Sequence, residues 1–227
     1  MKFFVAILNP DPREKRPYSS FPKDYNEFQS ISSHQSQNKY GEGFYECVNF
    51  LETDYGILGF IPMWENKAIQ DYEIEFVLIS ISCKGNNNEL NDRFIGIQAT
   101  CKYEGRIDGS GYERLGPMPR ALKESLDKKG SPLLYNYTCY CERYSLNLFS
   151  EKIMNAAQIA IGENWNGSLI TEITTNRFIQ VVKAINKAFR RKNLRFTNEY
   201  FRWENIKWQI KWQIRQEYKT SQKSQQF

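Results

Sequence analysis

The sequence predicts an α+β protein: a mainly antiparallel, curved sheet or small barrel with about three flanking helices. Three observations carry this prediction. Two apolar runs, residues 72–82 and 93–103, read as paired strands. A stripe of apolar residues at helical spacing follows Thr174 and Thr175. The chain also has 227 residues with 41% hydrophobic content, enough to bury a sizeable core.

In the first run Ile74, Phe76 and Leu78 alternate with Val77, Ile79 and Ile81, so both faces are apolar and the run reads as a central strand. In the second, Ile95, Ile97, Ala99, Cys101 and Tyr103 oppose Gln98, Thr100 and Lys102, the two-residue period of a half-buried strand. The two should pair antiparallel across a projecting Gly/Asn-rich loop. Gly96, inside the second strand, gives up side-chain packing and predicts a bulge or the close approach of another backbone or ligand.

From the beginning of the chain, residues 2–8 read as a buried strand stopped by Asn9, Pro10 and Pro12. The polar stretch to Gly43 reads as a long loop, residues 44–51 as a short strand, and residues 56–64 as a strand ending in an aromatic turn. Glycines and prolines make residues 105–119 a loop carrying Arg106, Tyr112 and Arg114. A helix over residues 120–129 is closed by Gly130, and residues 133–141 return to strand alternation. A second helix follows Ser150 over residues 151–161, and the loop after it exposes Trp165. The third begins after Thr174 or Thr175, with Phe178, Val181, Val182, Ile185, Ala188 and Phe189 as its buried stripe. Residues 206–215 then alternate without a fault: Ile206, Trp208, Ile210, Trp212 and Ile214 against Lys207, Gln209, Lys211, Gln213 and Arg215. This pattern predicts a strand with indoles on one face and a cationic row on the other. The tail from Thr220 is polar and predicted to be disordered.

Charge is unevenly placed. Residues 1–176 hold 18 Lys+Arg and 23 Asp+Glu, whereas residues 177–227 hold 13 Lys+Arg and 3 Asp+Glu. The last part of the chain therefore carries the whole positive balance, an asymmetry that points to an anionic partner, with a solvated surface as the plain alternative. The domain reading is a sheet domain over residues 1–145 and a helical, basic segment over residues 146–227 that packs on the same core. The five cysteines follow no framework spacing and read as reduced thiols. No window is long enough to span a bilayer, and the chain is expected to be cytoplasmic without a membrane partner.

The enzymology is constrained by what is missing. His34 is the single histidine, which disfavours histidine-based triads and multi-histidine metal sites. No Walker loop or dinucleotide fingerprint is present. Glu73 and Glu75 share one strand face and are the carboxylate pair a metal-dependent nuclease would use, although an edge position explains them equally. The leading expectation is a chain without cofactor, metal or catalytic residues.

The order of elements in residues 1–145 resembles the EVE-type, PUA-like readers of modified bases, relatives of the YTH and ASCH domains. The residues that carry this likeness are the opening strand at residues 2–8 closed by Asn9 and Pro10, the doubly apolar strand at residues 75–82, and the Gly-containing strand leading to Tyr103. Residues 59–64 and 95–106 also resemble the readers joined to HNH nucleases in modification-dependent restriction. The Arg-Asn-aromatic segment common in EVE proteins is absent, and Phe3 and Phe4 stand where a Trp is frequent. The resemblance implies a nucleic-acid-binding protein that takes a modified, flipped or single-stranded base of DNA or RNA, as the sensor of a defence system with a separate nuclease subunit. Phe60, Trp64, Tyr103 and Trp165 would wall the base, Gln98 or Asn166 would read its edge, and Arg106, Arg114 and Arg120 would hold phosphates. From its own pattern, the row Lys207, Lys211 and Arg215 adds phosphate contacts. A different class of function, a protein-interaction module forming a homo-oligomer through the Ile/Trp strand, is the alternative to both reader and nuclease.

Overall fold

The computed structural model describes residues 1–8, 22–27, 30, 50–53, 56–59, 75–82, 93–103, 120, 124, 139–149 and 170–224. In chain order these hold strands β1 (Lys2–Leu8), β2 (Leu51–Thr53), β3 (Gly56–Gly59), β4 (Phe76–Ser82), β5 (Arg93–Tyr103), β6 (Cys139–Cys141), β7 (Leu146–Leu148) and β8 (Ile170–Ile173). Two long helices follow, α1 (Thr175–Arg191) and α2 (Asn198–Ser224).

The strands are ordered β2-β3-β6-β5-β4-β1-β8, with β7 also paired to β5. β4 lies between β1 and β5, as its two apolar faces require: Phe76 and Leu78 enter one core, Val77, Ile79 and Ile81 the other. β4 and β5 pair antiparallel, as expected. The sheet differs from the antiparallel expectation at its centre, where β1 and β4 run parallel in the register Lys2↔Phe76 to Leu8↔Ser82. Two parallel strands need a long crossover, and the whole of β2 and β3 lies within this one. The other pairings are antiparallel, and the sheet is mixed and open in its described strand order.

Gly96 does both things its position predicted. Ile95 has no partner in the β4 register, which steps from Ser80↔Gly96 to Ile81↔Phe94. On the other side β7 comes so near that a Cβ on Gly96 would lie 3.1 Å from Leu148 Cδ2 and 3.2 Å from the Asn147 carbonyl. A second irregularity falls between Phe76 and Leu78, opposite Thr100, whose φ of 57° is unusual for a β-branched residue.

Both faces of the sheet are covered. On one, Phe4, Ala6, Leu8, Phe76 and Leu78 meet Phe50, Ile57 and Cys141. On the other, Phe3, Val5, Ile7, Val77 and Ile79 meet Phe178, Val181, Ile185 and Phe189 of α1 and Trp203, Ile206 and Ile210 of α2. Residues 146–149 and 170–224 therefore supply strands to the sheet and helices to its core.

α1 follows its sequence pattern closely. Thr174 caps it by accepting from Arg177 N–H at 3.2 Å. It ends in a Schellman turn: Leu194 N–H donates to the Phe189 carbonyl, Asn193 N–H donates to that of Arg190, and Asn193 takes a φ of 55°. Thr197 then caps α2 through Tyr200 N–H at 3.2 Å.

α2 overturns the strand expected at residues 206–215. Along it Trp203, Ile206, Ile210 and Gln213 are buried while Trp208 and Trp212 are exposed, so the environment changes with a helical period and not with a period of two. The helix also runs on to Ser224, past the tail expected to start at Thr220. There Thr220 Oγ1 donates to the Gln216 carbonyl and Gln222 Nε2 to Tyr218 Oη. Two short strands, β7 and β8, were not expected.

Elsewhere, residues 25–27 in the expected N-terminal loop are helical, and Asp24 Oδ1 accepts from Glu27 N–H at 2.9 Å. Arg120 and Glu124 are helical within the expected helix and pair at 2.6 Å. The helix expected over residues 151–161 lies outside the described residues. Among the described residues, no helix is long and apolar enough to cross a membrane.

Candidate nucleic-acid interface

Residues 207–215 read Lys-Trp-Gln-Ile-Lys-Trp-Gln-Ile-Arg, a tetrad repeated twice. On a helix of 3.6 residues per turn, a repeat of four drifts about 40° around the axis with each copy. That drift explains why like residues meet unlike surroundings. Ile206 and Ile210 are buried, but Ile214 has turned outward and is 41% exposed. Lys207 is half-buried, whereas Lys211 and Arg215 are exposed.

The glutamines and their continuations form the seam by which α2 crosses the sheet. Gln209 Nε2 donates to the Tyr144 carbonyl at 2.9 Å, and Ser145 Oγ donates to Gln209 Oε1 at 2.8 Å, at the leading end of β7. Four residues on, Gln213 Nε2 donates to Glu75 Oε2 at the leading end of β4. Four further on, Glu217 pairs with the Met1 amino group at the leading end of β1. One polar edge of the helix thus registers three strands in turn.

Lys207 belongs to the junction between the helices. Its Nζ donates to Glu204 Oε1 at 2.7 Å and to Asn186 Oδ1 of α1 at 3.1 Å, and it lies 5.5 Å from the centre of the Trp203 ring. Trp203 Nε1 donates to the same Asn186 oxygen at 2.8 Å. Burial pushes the Glu204 carboxyl up, but hydrogen bonds from Lys207 and Tyr200 and the charges of Lys207 and Lys211 outweigh it and hold the group below its usual range. The bond to Glu204 in turn raises the Tyr200 phenol, with burial adding to it.

Outward from this junction the surface is strongly basic. Lys183, Lys187, Arg190, Arg191, Lys192, Arg195, Arg202, Lys211, Arg215 and Lys219 are all exposed on α1, the turn and α2. Against them stand Glu217, paired with the Met1 amino group, and Glu204, whose partly open side chain is paired with Lys207. Exposed aromatics lie among the cations: Phe196 at the turn, then Phe201, Trp208 and Trp212 along α2. Tyr144, its carbonyl held by Gln209, is 81% exposed beside them.

The residues expected from sequence are distributed unevenly over this arrangement. Lys211 and Arg215 lie on the basic face, while Lys207 is engaged in the helix junction. Gln98 is a correction: it is 1% exposed, and its Nε2 donates to Cys141 Sγ at 3.3 Å, so its amide serves the core between the strands and not a base edge. Arg120 is exposed and paired with Glu124. Tyr103 ends β5 opposite Cys139, and its side chain lies outside the described residues. So do Phe60, Trp64, Trp165, Asn166, Arg106, Arg114 and Glu73. Glu75 is engaged by Lys102 at 3.3 Å and by Gln213. Among the described residues, no three His, Cys, Asp or Glu side chains gather as a metal site.

The exposed cations of α1 and the turn are visible in the sequence as a count but not as individual contacts. The alternating pattern also hides that Ile and Trp part company on α2: the isoleucines enter the core and the indoles leave it. The all-Ile/Trp strand face expected to carry an oligomer contact does not exist. No protein-family model matches the chain, and no curated protein and no solved structure matches it.

Proposed function

We propose that this protein binds nucleic acid through the outer face of α1, the connecting turn and α2. One observation carries the reading: α1, the turn and α2 expose ten cations, while their two most open carboxylates, Glu204 and Glu217, are each already paired. A surface that only needs solubility mixes both signs, whereas an unbalanced field of this kind attracts a polyanion. A modified or flipped base, and a place as the sensor of a restriction system beside a nuclease subunit, rest on the EVE-type resemblance, whose proposed walls Phe60, Trp64 and Trp165 lie outside the described residues. The nuclease alternative is weaker, because the Glu75 carboxylate is accounted for by Lys102 and Gln213.

The test is binding of labelled DNA and RNA by the full chain across a salt series, with and without magnesium. Binding should weaken steeply with salt through counterion release. Changing Arg190, Arg191 and Arg195 together to Gln should lower the slope against log salt by up to about three phosphate equivalents. Salt-independent binding, or none at low salt, would refute the reading. Magnesium-dependent cleavage lost in Glu75→Gln would establish the nuclease instead.

A further inference from the structure

The outer line of α2 holds aromatics that stand open to solvent. Trp208 is 62% exposed, Trp212 50% and Phe201 57%. Spaced at seven and four residues, the three fall within about 40° of one another around the axis, directly opposite the buried line of Trp203 and Ile210. Each indole also has a cation three residues on, Lys211 after Trp208 and Arg215 after Trp212, and residues three apart are neighbours on a helix surface. The doubled tetrad therefore presents the same pair twice in succession: a flat aromatic ring and, beside it, an exposed positive charge.

The spacing selects among anionic polymers. Positions four apart rise about 6 Å along a helix. Stacked bases in a duplex strand lie about 3.4 Å apart with their faces hidden against one another. Neighbouring indoles at the wider spacing can take successive bases only from an unstacked strand, whose faces are free to stack on aromatic side chains. A second copy of this chain is a poor occupant, since it would bring the same cations against Lys211, Arg215 and Lys219.

We infer that the outer line of α2 binds a single-stranded nucleic acid lying along the helix, with successive bases stacked on Trp208 and Trp212 and the intervening phosphates on Lys211 and Arg215. This deepens the nucleic-acid reading and rests on it. Phe201 extends the line toward the basic turn, so the strand leaves α2 over Arg202 and Arg195.

The experiment compares a deoxythymidine oligonucleotide with the same sequence in a duplex, using the full chain and indole fluorescence as one readout. The single strand should bind more tightly and quench fluorescence. Trp208→Ala with Trp212→Ala should weaken single-strand binding by about tenfold or more per indole, while the salt slope and duplex affinity stay the same. Trp208→Phe with Trp212→Phe should restore most of the loss. Lys211→Gln with Arg215→Gln should lower the single-strand slope by about 1.4, near 0.7 per lost phosphate contact. Both indoles are exposed, so the variants should keep the wild-type helical circular dichroism, which serves as the control for folding. If the alanine pair binds the single strand like wild type while salt-dependent binding persists, the stacking line is wrong and the basic face still stands. If wild type binds neither polymer at low salt, both readings fall. Loss of binding by the alanine pair to vesicles of phosphatidylcholine and phosphatidylserine, with oligonucleotide binding intact, would assign the line to a membrane surface and overturn the inference.

Discussion

The indole N–H of Trp203, buried beneath α2, donates at 2.8 Å to Asn186 Oδ1 on α1, an oxygen that also accepts from Lys207 Nζ at 3.1 Å. This oxygen joins the two helices at the point where their basic outer face is built. Removing it leaves a buried donor without a partner, the costly case for a polar group in a core. Asn186→Ala should destabilise the protein by about 1–3 kcal/mol. The denaturant midpoint should fall at unchanged slope, and Asn186→Asp, which keeps the acceptor, should recover part of the loss.

The assignment of α2 as a helix makes a sharp prediction, because a strand would give Ile206, Trp208, Ile210 and Trp212 one common environment. On the helix, Ile206→Ala and Ile210→Ala each open the core against Trp203 and the sheet and should cost about 2–5 kcal/mol. Trp208→Ala and Trp212→Ala should fall within about 0.5 kcal/mol of wild type. Equal losses at all four positions in thermal or chemical unfolding would contradict the helical packing.

How much was legible follows from which periods are unambiguous. β1 and β4 could be read because their apolar runs are nearly unbroken and both faces are buried, β5 because its apolar residues alternate from Ile95 to Tyr103, and α1 because its stripe keeps a helical period that its burial follows. Residues 206–214 were misread because a repeat of four satisfies two templates at once: each residue matches the one two places on in polarity class, and also nearly returns to its own helix face. The deciding signals lay outside the window. Trp203 stands three residues before Ile206, Thr197 is a capping residue, and no Gly or Pro interrupts residues 198–224, a length no ordinary strand reaches. β7 and β8, with three and four residues, are too short to show a period, and their place in the sheet is set by tertiary pairing. For the site, the count of charges was legible, but its geometry depended on the turn at Asn193 and on the faces of two helices. Gln98 went wrong for a related reason: the second strand is covered on both faces, so its polar residue was enclosed and not presented.

Gly96 supports a prediction about the edge of the sheet. An added methyl would meet Leu148 Cδ2, which can turn aside, and the Asn147 carbonyl, which is set by the pairing of β5 with β7. Gly96→Ala should therefore destabilise by about 1–3 kcal/mol through overpacking. A double-mutant cycle separates the two contacts. If Leu148→Ala relieves little of the loss, the carbonyl is the obstacle, and Gly96 is required by the backbone of β7.

The cluster of Tyr200, Glu204 and Lys207 predicts how stability responds to acid. Glu204 has a folded-state pKa below its ordinary 4.5, because bonds from Lys207 and Tyr200 outweigh the opposing effect of burial. The unfolded chain then binds the proton more tightly than the native one. The stabilisation is present above the ordinary value and is lost as pH falls through the folded value. Glu204→Gln should be modestly less stable than wild type near neutral pH, and the two stability curves should converge as pH drops below about 4.5, a carboxylate's unperturbed range. Since the Glu204 side chain is 42% exposed, the difference should be small and should shrink with added salt. The same substitution replaces the charged acceptor that raises Tyr200 by a neutral amide oxygen, so that phenol should ionise closer to its ordinary 10.0. A phenol shift without any change in the acid limb would mean that Glu204 holds Tyr200 but gains nothing from Lys207.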